Sequence, residues 1–395
     1  MIPVRHAISF SLLLLFAAWA GTLAAAAAED GPRNVILFIG DGMGLAQVQA
    51  AAVARARAAG ASDPAIAGRL AFEEFPVFGY LTTAAANSFV TDSAAAGTAL
   101  AGGEKTDNGV IGQTPAGRAI PSIARAAKAH GRAVGILSSV GFDHATPACF
   151  YAHDGARGNY EAIVNQALGS GFDLIFGGGV CAQGWDDARL AAAARAAGWQ
   201  FVNPATLAAL TPATAGERLL GSFDLNGNDQ LDYAVERQPG NREPRLADLT
   251  RKALEILAAR IPRQGGFFLM AEGGAIDWAC HNNAAAAAVG EVLELDQAVR
   301  ETLAFLAANG LLDDTLVVVT ADHETGGLAL IGPAGKPLAA DCAPEFAWTS
   351  GGHTGIPVPV YARGPGAAAF AGKHDNTHVG RTLRRHLEAP PPPKE

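Results

Sequence analysis

Two kinds of hydrophobic pattern take turns along the chain. Short, nearly continuous apolar runs rich in Val, Ile, Leu and Phe occur at Val35 to Ile39, Ala133 to Leu137, Leu174 to Phe176, Phe267 to Met270 and Leu316 to Thr320. A sixth, less regular, runs from Val358 to Ala362. Apolar runs of this length without polar alternation predict strands buried on both faces. Between them, Ile123 to His130, Asp187 to Ala197, Leu246 to Ala259 and Ala285 to Asn309 are Ala-rich, with helical spacing of their apolar positions. This alternation predicts a three-layer α/β/α sandwich around a central, largely parallel sheet.

Two stretches depart from the rhythm. Residues from about 204 to 244 are polar and loop-rich and read as an insertion; 331 to 346 read as a small excursion. Residues 389 to 395 are dominated by proline and read as a disordered tail, which leaves one domain over 29 to 388.

Composition narrows the classes. With 395 residues and 49% hydrophobic content, the chain can bury a large core. Its formal net charge of −9 comes without a long run of Lys or Arg, which argues against nucleic acid as the main partner and leaves no polybasic membrane patch. At the N-terminus, Arg5 and His6 precede an apolar run from Ile8 to Ala20, with small residues continuing to Ala28. That is the pattern of a secretory signal peptide over residues 1 to 28, and it predicts a periplasmic or extracellular protein; an uncleaved membrane anchor is the alternative. Cys149, Cys181, Cys280 and Cys342 fit an oxidising compartment, where two disulfides allow three connectivities, and their spacing matches no zinc finger.

The chemistry is concentrated where apolar runs stop. The first run ends at Asp41, the fourth at Glu272, and the fifth at Asp322 and His323. In open parallel sheets, ligands bind beyond the carboxyl ends of the strands, so these groups should converge. Several carboxylates in one pocket repel unless a cation neutralises them, and accompanying imidazoles point to a metal. Asp277 and His281 stand four residues apart on one helical face, and His353 follows two glycines that permit close approach. In Thr91-Asp92-Ser93-Ala94-Ala95, Asp92 or Ser93 can cap the adjoining Ala-rich helix. A helix start also suits phosphate and an activated hydroxyl, and a nearby metal would let Ser93 act as a nucleophile without a histidine base.

These residues resemble the alkaline phosphatases from Asn34 to about His386. The carriers are Gly40-Asp41-Gly42-Met43-Gly44, Thr91-Asp92-Ser93-Ala94-Ala95, Gly103-Glu104-Lys105-Thr106, His144-Ala145-Thr146-Pro147, Glu272-Gly273-Gly274-Ala275-Ile276-Asp277, Thr320 to Gly327, and His353-Thr354-Gly355. The resemblance implies hydrolysis of phosphate monoesters to alcohol and inorganic phosphate, through a covalent phosphoserine at Ser93. It implies a first zinc held by Asp277, His281 and His353, and a second by Asp41, Asp322, His323 and Ser93. A third ion, usually magnesium, would take Asp41, Thr146 and Glu272. Arg157 would grip the phosphate with Asp92 orienting it, as a guanidinium fork suits a dianion. A homodimer is also implied.

Two positions depart from other family members, some of which carry Asp in place of His144 and Lys in place of Trp278. Losing the lysine predicts weaker phosphate binding and faster product release, while an imidazole at His144 favours zinc or another transition metal at the third position. Some signals fit no site. Asp224 to Asp232 hints at a calcium loop but has a displaced glycine and Val235 where the bidentate acid belongs, so it reads as a polar turn. His130, His374, His378 and His386 have no partner motif, and Gly177-Gly178-Gly179 lacks a phosphate-loop lysine. The closest rival activities are hydrolysis of phosphodiesters or sulfate esters; Arg157 favours monoesters, and Ser93 lacks the context of a sulfatase formylglycine. A non-catalytic phosphate- or metal-binding protein is the reading from another class.

Overall fold

Fourteen strands carry the fold in the computed structural model, which describes residues 31–61, 68–332 and 345–389. The leader at 1 to 28, Cys342, most of the excursion at 331 to 346, and the tail beyond 389 lie outside the described residues. The strands are β1 (Asn34–Gly40), β2 (Val77–Thr82), β3 (Ala133–Ser138), β4 (Leu174–Gly177), β5 (Gln200–Val202), β6 (Leu219–Ser222) and β7 (Phe267–Gly273). Further along the chain come β8 (Thr315–Thr320), β9 (Glu324–Thr325), β10 (Leu328–Ile331), β11 (Glu345–Trp348), β12 (His353–Thr354), β13 (Val358–Arg363) and β14 (Gly372–Asp375).

Ten of them form one sheet in the order β14-β2-β13-β8-β1-β7-β3-β4-β6-β5. Within it only β13 runs against its neighbours. All six expected strands are present. The centre, β8-β1-β7-β3, is buried along its whole length, because helices cover both faces and leave no position for polar alternation.

The four expected helices also form, as Ile123–Ala129, Asp187–Ala196, Leu246–Ala258 and Ala285–Ala308. On one face, Leu45–Ala58 and Leu246–Ala258 pack against Ala285–Ala308, whose buried positions Ala288, Val292, Leu295, Val299, Thr302 and Leu306 follow the helical period. On the other face Ser93–Gly102, Ile123–Ala129 and Thr377–Glu388 pack together. Sheet and two helical layers make the three-layer α/β/α sandwich.

The polar stretch from 204 to 244 is not all loop, since β6 lies within it and pairs in parallel with β4 and β5. The ends of the excursion are tied by antiparallel pairing of β10 with β11. Among the described residues Cys149, Cys181 and Cys280 are free thiols, and no helix is long and apolar enough to cross a membrane.

The register of the central strands aligns the polar residues at their ends. Ile39 of β1 stands beside Glu272 of β7 and Thr320 of β8, and Ser138 of β3 also faces Glu272. Asp41, Glu272 and Asp322 therefore emerge together at one edge.

Candidate metal centre and active site

Asp41 follows β1 at a turn that needs Gly42, whose φ is 73°. A Cβ at Gly42 would come within 3.0 Å of Asp277 Oδ1 and 2.9 Å of Thr325 Oγ1, so glycine is also what lets the turn lie against the next carboxylate. The Gly42 amide donates to Asp322 Oδ1 at 3.1 Å, and the His323 amide donates to the same oxygen at 2.8 Å. Asp41, Glu272, Asp322 and His323 are each completely buried.

Their charges are not balanced by the chain. Burial, with Asp322, Asp277 and Glu272 close by, pushes the Asp41 carboxyl far above its usual range. Burial raises Glu272 to about 8, although the Ser138 hydroxyl donates to it. Burial and the Asp277 charge raise Asp322 to about 6. One oxygen of each, Asp41 Oδ1, Glu272 Oε1 and Asp322 Oδ2, makes no hydrogen bond. Buried acceptors without donors, beside neutral imidazole, are the donor set of a cation.

Three overlapping groups bring ligand atoms close enough to share an ion. Asp41, Asp322 and His323 form one; Asp277, His323 and His353 form the next; Asp41, His144 and Glu272 form the third. His281 joins the second group, its Nε2 lying 3.2 Å from Asp277 Oδ2 and 3.1 Å from His353 Nε2. Its other nitrogen is fixed by the Gly351 carbonyl at 2.7 Å, as His353 Nδ1 is by the Thr91 carbonyl at 2.9 Å. Those carbonyls set which nitrogen of each ring is left to face a shared ion, were one held there. Burial opposes charge on Asp277, yet the hydrogen bond from His281 and the imidazoles of His323 and His353 hold its carboxyl well below the usual value.

Ser93 opens the helix Ser93–Gly102, and its Oγ lies 3.2 Å from His323 Nε2. Asp92, not Ser93, caps that helix: its Oδ1 accepts from the Ala95 amide at 3.0 Å. Its other oxygen holds Arg157 Nη1 at 2.9 Å, so one carboxylate orients both the helix start and the guanidinium. Arg157 Nη2 reaches His144 Nε2 at 3.0 Å, and the rings of His144 and Trp278 meet in a T-shaped contact at a centroid distance of 5.7 Å. Burial first, then the Arg157 charge, lowers His144 to about 3 and keeps it neutral.

The residues given site roles in the sequence, Asp41, Asp92, Ser93, His144, Thr146, Arg157, Glu272, Asp277, Trp278, His281, Asp322, His323 and His353, are brought together at this edge. In the third group, however, the imidazole of His144 stands with Asp41 and Glu272, while Thr146 touches the group through a 3.4 Å hydrogen bond to Asp41 Oδ2. Three supporting residues were not singled out. Ser138 binds Glu272; Thr325 donates to Asp277 Oδ1 at 2.5 Å and lies 3.2 Å from His323 Nδ1; Glu324 pins the β9 loop through Gln47, Thr354 and the amides of Gly327 and Leu328. Thr325 and Glu324 fall inside the Thr320 to Gly327 motif, so their proximity to His323 was the available signal.

Comparison with known proteins identifies the family and the fold. A family model described as alkaline phosphatase matches residues 32–339 and 339–389. Alkaline phosphatase 4 of Bacillus subtilis is 30% identical, with 90% of this chain and 89% of that protein covered. Streptomycin-6-phosphate phosphatase of Streptomyces griseus is 32% identical over 98% of each chain. The cold-active alkaline phosphatase of a psychrophilic Shewanella superposes with a TM-score of 0.76 at 30% identity, covering 90% of this chain and 99% of its own. Alkaline phosphatase from the Antarctic bacterium TAB5 gives 0.74 at 28% identity, over 91% and 98%; a histidine-to-aspartate mutant of it has been solved with magnesium bound in its M3 site. With the family match spanning nearly the whole described chain and the strand-end carboxylates gathered with the His323 imidazole that Ser93 Oγ meets, this protein belongs to the alkaline phosphatase family and is a phosphatase, a hydrolase.

Proposed function

We propose that the chain hydrolyses phosphate monoesters through a covalent phosphoserine at Ser93, with two zinc ions and a third ion at the edge of the sheet. The observation that carries this reading is the position of Ser93 Oγ, at a helix start, 3.2 Å from His323 and across from an Arg157 already oriented by Asp92.

Asp277, His281 and His353 would hold the first zinc; Asp41, Asp322, His323 and Ser93 Oγ the second. Asp41, Glu272 and Thr146 would hold the third ion, magnesium on the family resemblance, with the His144 imidazole adding a donor that favours a transition metal. When bound, the zinc ions supply Lewis acidity, lowering the pKa of oxygens in contact with them and offsetting charge on the phosphoryl group.

The residues of the chain do the rest. Arg157 donates to two phosphoryl oxygens from its planar fork, and Asp92 holds that fork in place. The unpaired amides of the Ser93–Gly102 helix start add positive potential at the same point. Ser93 Oγ bonds to phosphorus as the bond from phosphorus to the ester oxygen breaks, and the alcohol leaves. Water then attacks the phosphoserine, the Oγ–phosphorus bond breaks, and phosphate departs. Two inversions give net retention at phosphorus.

Little in this site specifies the alcohol, so a broad range of monoesters is expected. The leader pattern supports action outside the cytoplasm, and the family resemblance supports a homodimer. Acid trapping of a labelled monoester should leave phosphate on Ser93 and none on Ser93→Ala, with turnover reduced roughly 10⁴-fold or more. An unlabelled wild-type enzyme, or diester or sulfate-ester turnover exceeding monoester turnover, would remove this reading.

A further inference from the structure

Phe89 is the most exposed large apolar side chain among the described residues, at 80%. Its loop is not slack. The Asp92 amide donates to Asn108 Oδ1 at 2.9 Å, Asn108 Nδ2 donates to the Val90 carbonyl at 3.0 Å, and the Asn108 amide donates to Asn87 Oδ1 at 3.0 Å. A fourth bond, from the Ala85 amide to the Ser88 carbonyl at 3.0 Å, closes the loop.

The ring is also placed. It lies against Gly355, where a Cβ would come within 2.7 Å of Phe89 Cε1, so the absent side chain makes room for it. Two residues after Phe89, the Thr91 carbonyl accepts from His353 Nδ1 at 2.9 Å. Phe89 is thus tied to both sides of His353, through Thr91 in its own loop and through Gly355 beyond the histidine. Ile356, next in the chain to Gly355, is 45% exposed.

Displaying a phenyl ring to water on a fixed loop forgoes the stabilisation that burying it would bring. A ring held this way, beside the nucleophile loop and a metal-site histidine, is preorganised to receive another flat apolar group. Given the Ser93 reading, on which this inference rests, in-line displacement sends the alcohol away from Ser93, toward the side where Asp277, His281 and His353 gather. We propose that Phe89, with Ile356 beside it, is a subsite for the aromatic alcohol portion of aryl phosphate monoesters. The ring takes no part in bond making; it stacks on the leaving group and raises preference for aryl over small alkyl esters.

The test compares naphthyl phosphate with glycerol phosphate, and naphthylmethylphosphonate with methylphosphonate as inhibitors, in the intact metal-loaded enzyme. Phe89→Ala should lower kcat/KM for the naphthyl ester and raise the inhibition constant of the naphthyl phosphonate, each roughly three- to tenfold. Glycerol phosphate and methylphosphonate should be unaffected. Phe89→Tyr, which keeps a ring, should restore the wild-type preference. Unchanged naphthyl constants in Phe89→Ala would overturn the proposal. So would equal losses on both members of each pair accompanied by a change from dimer to monomer in sedimentation, because the ring would then be a contact between copies. Measured by calorimetry as a dissociation constant, phosphonate binding needs no turnover, so this readout stands even if phosphate is never trapped on Ser93.

Discussion

Where the strands begin, Asp173 is 3% exposed, and its carboxylate accepts from the Val134 amide, Lys128, Arg260 and Gln264. Nearby, the buried Arg132 donates to the carbonyls of Leu387, His386 and Arg33. Where the strands end, Asp41, Glu272 and Asp322 are as deeply buried, yet each keeps an oxygen with no donor. Both edges of one sheet bury charge. At the first the chain supplies the partners, cations to Asp173 and carbonyls to Arg132; at the second it withholds them, and the carboxylates press on one another. Unsatisfied buried charge is costly, so a fold retains it where something outside the chain completes the set.

Substitutions at the two edges should therefore have opposite consequences. Asp322→Asn keeps the Oδ1 acceptor for Gly42 and His323 but removes one charge of the cluster. Activity should fall about a thousandfold with loss of bound metal by elemental analysis, as Lewis acidity worth several kcal/mol disappears. In chelator, however, the same variant should melt higher than the metal-free wild type, because repulsion is relieved. A lower melting temperature there would undo the contrast. Asp173→Ala should do the reverse, costing roughly 3 kcal/mol in denaturant unfolding by leaving two cations without their carboxylate, with kcat unchanged.

Glu291, on the helix Ala285–Ala308, is an intermediate case. Burial pushes its carboxyl from 4.5 to about 7, against a single donor, the Ala234 amide at 2.8 Å. The folded protein keeps this proton over a range in which the unfolded chain releases it. Stability present below the unfolded value is therefore lost as pH rises through the folded one, by on the order of 2 kcal/mol. Urea titrations between about pH 4.5 and 8 should show that slope in the wild type and its disappearance in Glu291→Gln. The smallest effect is expected at Trp278, whose ring stands against His144. Trp278→Lys places a cation near Arg157 and should tighten inhibition by phosphate about threefold, an interaction in the range of exposed charge pairs; an unchanged constant would show that the residue at 278 does not set phosphate affinity.

Legibility tracked the strength of local signals. The central strands were readable because burial on both faces forces continuous apolar runs, and Asp41, Glu272 and Asp322 were readable because each stands where such a run stops. The lateral strands were harder. β6 is four residues long within a polar stretch, and β2 mixes exposed and buried positions near the sheet margin, so neither carries a pattern distinct from a loop. At the site, the motif residues could be picked out of the sequence, whereas Ser138 and Phe89 could not. A serine ending a strand and a phenylalanine in a loop are ordinary locally; their partners Glu272 and Gly355 are far away in the chain.

What the sequence determined by itself was the layer architecture, the candidate metal-binding residue types and the place of Ser93 before a helix, because each is written in periodicity or in neighbouring residues. Tertiary structure alone decided the rest: that Asp92, rather than Ser93, caps the helix while also holding Arg157, that Ser138 and Thr325 support Glu272 and Asp277, and that Phe89 lies against Gly355 beyond His353. Those outcomes depend on strand register and loop closure, which bring together residues dozens to hundreds of positions apart, and no local pattern encodes such a distance.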